Sequence, residues 1–309
     1  MTAPSENAPA APVESGVAHP SGARARIGPV HRWRAVLRAE IRKTTSVRLW
    51  WVLLAPVVLL SLLTSQFGSL LSLILPTASE ESPIRLMVGV ASAASIVSVI
   101  AATFGTLCMT GEFRHRTATN AYLTGARVQV LGAKVVVSAF VGALYGLVMA
   151  VLGPLLGGAA LGQQTLPGTG QLVLLGLAAI LVCALWAVIG VAIGAVVRNQ
   201  VGAIAIAVGY LILGENVISV VLGLGDSNPS DPSWVSRLSS FLPGNAGDLT
   251  LYQPSLAGAG DEASVRQALE LLAGSTAPPP GWVSQLVLLA WAVAAVAVAV
   301  VVGGRRDVT

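Results

Sequence analysis

The chain has 309 residues, of which 54% are hydrophobic and only 10% charged, with a formal net charge of +4. A soluble domain carries roughly a quarter charged residues, whereas here no charge falls between Arg48 and Glu80, between Arg85 and Glu112, or between Lys134 and Arg198. Each interval exceeds the ~20 apolar residues that a bilayer-spanning helix needs. This excludes a soluble bundle whose helices each keep a polar face, and the fold class expected is an all-α integral membrane protein.

In chain order, residues 1–28 are rich in Pro, Ala, Ser and Gly and carry too little apolar surface to order themselves, so a disordered tail is expected. No cleavable signal peptide is expected, because the first apolar run lies behind this polar tail. Residues 29–46 change character. Val30, Trp33, Leu37, Ile41 and Thr44 recur at spacings of three and four, with Arg32, Arg34, Arg38, Arg42 and Lys43 between them. That pattern predicts a basic amphipathic helix lying in the lipid headgroup plane, with Trp33 and Arg38 as interface anchors.

The transmembrane domain is expected over 47–309. Six spans are predicted at about 49–75, 86–110, 135–160, 172–197, 201–224 and 282–302, the first opening on the belt residues Trp50 and Trp51. A basic segment, 111–134, separates spans two and three. Pro167, Gly168 and Gly170 mark a turn before span four. Arg198, Asn199 and Gln200 make a tight polar turn between spans four and five. The outer loop 225–281 holds two apolar stripes at helical spacing. One is Trp234, Leu238, Phe241 and Leu242. The other is Val265, Ala268, Leu269 and Leu272, with Asp261 as its cap. Two short helices resting on the outer leaflet are expected there. Gly142 with Gly146 and Gly190 with Gly194 have the spacing that lets membrane helices approach closely.

Charge counting orients these spans. All but three of the 18 Lys and Arg residues fall in the N-terminal region, the basic segment, the Arg198 turn and the C-terminus; the exceptions are Arg85, Arg237 and Arg266. The positive-inside rule then places both termini in the cytoplasm. The basic pI reflects this asymmetry rather than a nucleic-acid partner. The excess of Arg over Lys, with abundant Ala, Gly and Val, points to a GC-rich bacterium and hence to its cytoplasmic membrane.

Chemical motifs are few. No Gly-x-x-x-x-Gly-Lys-Ser/Thr loop, His-Glu-x-x-His or Gly-x-Ser-x-Gly occurs. The chain is therefore expected to be neither an enzyme nor an ATP binder. Cys108 and Cys183 lie in apolar spans without metal-ligand spacing and read as packing residues. Glu215 is the one ionisable residue inside a predicted span, next to Asn216. It either lines a substrate path or sits where water reaches the outer end of span five.

The run Gly111-Glu112-Phe113-Arg114-His115-Arg116-Thr117-Ala118, then Gly125-Ala126-Arg127 and Ala133-Lys134, resembles the inner-loop signature of type-2 ABC transporter permeases. Glu40-Ile41-Arg42-Lys43 through Arg48 resembles their elbow helix, and Val197-Arg198-Asn199-Gln200 their fourth-to-fifth connection. Ala126 departs from the Pro or Ser frequent in the family. The resemblance runs from about Trp33 to the end. It implies six spans, an elbow helix, short outer helices between spans five and six, and a coupling helix from Glu112 to Leu123. That helix would dock on a separate ABC ATPase, with Glu112, Phe113, Arg114, Arg116, Tyr122 and Arg127 as contacts. Two ATPases and a second permease, identical or paralogous, would complete the unit, with ATP and Mg on the ATPase and no cofactor in this chain. Spans two and five would line the path, which points to Glu215 and Asn216. The function implied is export of a hydrophobic or amphipathic substrate, since the inner loop lacks the Glu-Ala-Ala…Gly pattern of importers. The alternatives are an ion-gradient-driven transporter and a non-transporting membrane anchor or assembly subunit.

Overall fold

The computed structural model describes residues 29–73, 83–114, 127–161, 167–224 and 233–305. The expected disordered tail, Arg116, Tyr122 and Gly125 lie outside the described residues. Those described form an all-α protein without strands, and five helices are long and apolar enough to cross a membrane. The chain is a multi-pass membrane protein by that measure.

The elements are α1 (Pro29–Ser46), α2 (Leu49–Val52), α3 (Leu54–Leu62), α4 (Thr64–Ser72), α5 (Pro83–Arg114), α6 (Arg127–Leu161) and α7 (Thr169–Val197). They continue with α8 (Gln200–Gly209), a π-helical turn (Tyr210–Gly214) and α9 (Glu215–Gly223). On the far side come α10 (Trp234–Arg237), a 3-10 turn (Leu238–Phe241), α11 (Pro243–Ser255), α12 (Glu262–Ala273) and α13 (Gly281–Arg305). Helix is the only open structure that satisfies its own backbone in lipid, which is why uninterrupted Ala, Val, Leu and Gly runs take this form.

Span one departs from expectation. Instead of one helix over 49–75 it breaks at Leu53 and at Leu63. Pro56 explains the first break, because it has no N–H for the Val52 carbonyl and its ring crowds that group. At the second, Ser61 Oγ donates to Val57 O (2.9 Å), and Thr64 Oγ1 to Ser61 O (3.0 Å) and Gly153 O (3.1 Å). Such back-bonding bends helices. Residues Leu49–Leu62 are bent 54° from α1, and together the two are the only further candidate span among the described residues.

Around α5 the core is closest. A Cβ on Gly105 would run into the Ala187 carbonyl, and one on Gly190 into that of Ala102. Gly142 and Gly146 meet α7 in the same way at Cys183 and Ala179. The small-residue pairs thus close α5 and α6 onto α7 within one chain. Cys183 is fully buried there, and Cys108 partly so. The α8–α9 and α13 helices are peripheral, with most of their apolar residues exposed.

The outer loop holds a helix that sequence reading missed. Pro243–Ser255, with two Pro, two Gly, Asn and Asp, reads as turn, yet it forms α11 and is largely buried. Trp291 Nε1 donates to Phe241 O just before it (2.9 Å), and Gln253 Nε2 near its end donates to Pro279 O (2.7 Å). It therefore runs antiparallel to the first turns of α13. The two expected stripes behave differently. Trp234, Leu238 and Phe241 are exposed, while Ala268 and Leu269 of α12 are buried. Asp261 does cap α12, accepting from Ser264 N.

Candidate functional site

Two polar clusters stand out, one near each end of the long helices. The first joins α1, α5 and α6. Lys134 Nζ lies 2.8 Å from Glu40 Oε2 and 3.0 Å from Glu112 Oε1. Lys43 Nζ lies 3.0 Å from Glu40 Oε1 and also reaches Glu112 Oε1. Lys134 is 1% exposed, and Glu40 and Glu112 are 4% exposed each. Two acids thus meet the only two lysines of the chain in a charge-balanced quartet. A buried charge persists only when paired, so Glu40, Glu112 and Lys134 are not lone surface groups, while Lys43 reaches them from a half-exposed position. Burial alone would raise the Glu40 carboxyl, but Lys134 and Lys43 outweigh it and hold it below the usual carboxylate range.

This revises the reading of Glu112. Expected as a contact for an outside partner, it is turned inward and taken up by Lys43 and Lys134. Phe113 is also engaged, with the Arg198 guanidinium 5.4 Å above its ring. Arg127 Nη1 donates to Gly303 O (3.1 Å). Nothing is described of the Arg114 side chain. Of the interface anchors, Trp33 packs against Gly132, Arg38 is exposed, and Trp50 accepts Tyr145 Oη at its carbonyl (2.6 Å) while Trp51 is half exposed. On α1 the inward positions are Trp33, Val36, Leu37, Glu40 and Thr44, with Ile41 exposed. Sequence periodicity missed Glu40 because it assigned that face to apolar residues. The signal was a single acid in an otherwise basic helix.

Beside the quartet lies a 480 Å³ cavity. Its wall combines apolar Val47, Leu49, Phe104 and Leu107 with Lys43, Glu112 and Lys134. A Cβ on Gly111, also in the wall, would meet nothing within 4 Å.

The second cluster is centred on Glu215, 3% exposed. Its two carboxylate oxygens accept from Gly244 N and Asn245 N, each at 2.8 Å. These are first-turn amides of α11, where orphan N–H groups and the helix dipole favour an anion. The π-helical turn directly precedes Glu215 and shifts the register of α9 after α8; such turns recur at functional positions. Asn245 Nδ2 donates to Ser219 Oγ (2.8 Å) and Ser239 O (2.9 Å). Asp248, one turn further along α11, accepts from Ser95 Oγ of α5 (2.6 Å). Burial pushes its carboxyl up to about 7, against the pull of that hydrogen bond. Asn216 is exposed and donates back to Ile212 O (2.8 Å). The adjoining pocket measures 50 Å³, which suits a water and not an organic substrate. Among the described residues no three His, Cys, Asp or Glu converge as metal ligands.

No family model matches the chain, and no curated protein matches it.

Proposed function

We propose that this chain is the permease subunit of an ABC exporter in a bacterial cytoplasmic membrane, with both termini inside. It would pair with a second permease and be driven by two separate ATPase subunits. On this reading α1 is the elbow helix, the broken segment after it is span one and completes the six, α11 is re-entrant from the outside, and the basic segment 111–134 couples to the ATPase.

One observation carries the reading. The residues at the two ends of the basic segment, Glu112 and Lys134, are both tied by ion pairs to one basic amphipathic helix, Lys134 through the buried Glu40 and Glu112 through the half-exposed Lys43. A force applied to that segment would pass at once to α1, α5 and α6, as a coupling element requires. The cavity beside the quartet, with apolar and charged walls, suits an amphipathic substrate entering from the inner leaflet.

Co-expression with the ABC ATPases of the source genome, beginning with any encoded in a neighbouring gene, tests the reading. The two should co-purify, and Arg114→Ala with Arg116→Ala and Tyr122→Ala should break the complex while leaving the permease folded. Glu112 is left out of this set because its loss would unfold the quartet. Gly111→Val should narrow the cavity and reduce transport without affecting assembly. Transport in vesicles that proceeds without ATP hydrolysis would overturn the proposal.

A second reading draws on Glu215. A buried, protonatable carboxylate beside a broken helix is the kind of group that a gradient-driven transporter needs within the membrane. Flux that follows a proton gradient without any ATPase and is abolished by Glu215→Gln would favour it.

A further inference from the structure

Among the described residues Arg198 is the one non-glycine with positive φ (φ 58, ψ −2). It follows the last turn of α7, where glycine or asparagine is the unstrained choice. An L side chain there is strained by its own Cβ. The chain is not short of glycine, with 33 in all, and asparagine stands at the very next position. Asn199 is already employed as the cap of α8, accepting from Val201 N (3.0 Å) and Gly202 N (3.2 Å). The strain at 198 is therefore tolerated for the sake of the side chain. Strain of this kind points to function when the outlier is itself observed.

The destination of that side chain is specific. The guanidinium lies over the Phe113 ring at 5.4 Å, while its buried Nε has no hydrogen-bond partner. The ring contact is what the residue makes. Around it, in one 50 Å³ pocket, stand Phe113 near the end of α5, Arg127 at the start of α6 and Gly303 near the end of α13. Phe113 and Arg127 bracket residues 115–126. The α8 helix that leaves the turn is peripheral, and it continues through the π-helical turn into Glu215.

We infer that Arg198 is a positioning residue that locks the α7–α8 turn to the Phe113 end of the basic segment, so that displacement of that segment is delivered to the α8–α9 span. This rests on the reading that the segment docks on an ATPase. It is separate from the quartet, which ties the same segment to α1.

The test uses the full permease co-expressed with its ATPase. Arg198→Gly removes the backbone strain and the stack together. Its thermal unfolding temperature and its assembly with the ATPase should be unchanged or improved, while transport per ATP hydrolysed should fall about 2- to 30-fold, the range for a residue on a coupling route. Arg198→Lys keeps charge and strain but loses the planar stack, and should also lose transport per ATP. Adding Phe113→Leu to Arg198→Gly should add little, as expected for a pair acting together. Hydrogen exchange supplies a readout independent of any ATPase: amides near Phe113 should exchange faster in Arg198→Gly than in the parent. Unimpaired transport per ATP, or unaltered exchange, overturns the inference. So does a parallel loss of unfolding temperature and assembly, which would make the residue merely structural. Failure of the unaltered chain to bind any ATPase overturns the functional reading instead, and the assembly step tells the two apart.

Discussion

The two polar clusters bury carboxylates by opposite means. Near the α1 end, Glu40 and Glu112 are neutralised by Lys43 and Lys134, a solution made of side chains from three helices. At the other end, Glu215 has no lysine or arginine bonded to it among the described residues and is held by two backbone amides at the start of α11. Charge pairs fix a joint rigidly, because removing either partner strands the other in a low-dielectric site. A carboxylate on a helix N-terminus is held by fractional charges and can be released by a single proton. The quartet thus suits a joint that transmits force, and the Glu215 contact one that opens and closes.

The largest effect is expected where the quartet is broken. Lys134→Met leaves Glu40 and Glu112 facing each other across Lys43 alone, and removing one partner of a buried pair costs about 3–5 kcal/mol. Thermal unfolding of the detergent-purified chain should show a large drop. Adding Glu40→Gln and Glu112→Gln should recover much of it, since neutral replacement of a whole buried pair is often tolerated. A parent-like unfolding temperature for Lys134→Met alone would mean that the cluster is solvated, and the contrast would fail.

At the second cluster the loss should be smaller. Glu215→Ala orphans the Gly244 and Asn245 amides, at about 1–3 kcal/mol for buried donors left unpaired. Glu215→Gln keeps one acceptor oxygen and should cost less. Equal losses for the two variants would show that charge, and not hydrogen bonding, holds α11.

Asp248 adds a pH dependence opposite in sign to that of Glu40, whose lowered carboxyl stabilises the fold until acid protonates it. Its carboxyl ordinarily titrates at 3.8 and is raised to about 7 in the fold. Between those values the folded chain keeps a proton that the unfolded chain has lost. Stability from this group therefore falls as pH rises through that window. Asp248→Asn cannot ionise, so it should match the parent below the window and exceed it above pH 7 in a melting series. A variant less stable than the parent above the window would mean that the ionised form is the one stabilised. The smallest effect is expected at the exposed cap of α8, where Asn199→Ala should cost about 1 kcal/mol. A larger loss would mark the α7–α8 turn as a joint of the same rank as the clusters.

How much of this could be read in advance differs between the clusters. Glu215 stood out as a carboxylate in an apolar run, but its partner helix did not. The residues of α11 carry turn formers at almost every second position, and their helical state depends on enclosure by α5, α7, α12 and α13. Glu112 stood out as an acid in a basic segment, which sequence logic turned into a surface contact. Its burial depends on Lys43 and Lys134, 69 residues before it in one case and in another helix in the other. Pro56 and Thr64 were visible, yet the breaks they impose were hidden by a hydropathy signal that registers composition and not hydrogen bonding.

The sequence by itself determined where helices long and apolar enough to cross a membrane would form, because hydropathy and backbone satisfaction in lipid are local properties summed over about 20 residues. It also carried the basic inner-loop pattern that prompts the functional reading. Only the tertiary structure decided which charges are neutralised, which glycines bring backbones together, that α11 is a helix at all, and that Arg198 keeps a strained backbone above Phe113. Each of these depends on atoms far apart in the chain meeting at hydrogen-bond or van der Waals distance, and no local pattern encodes such a meeting.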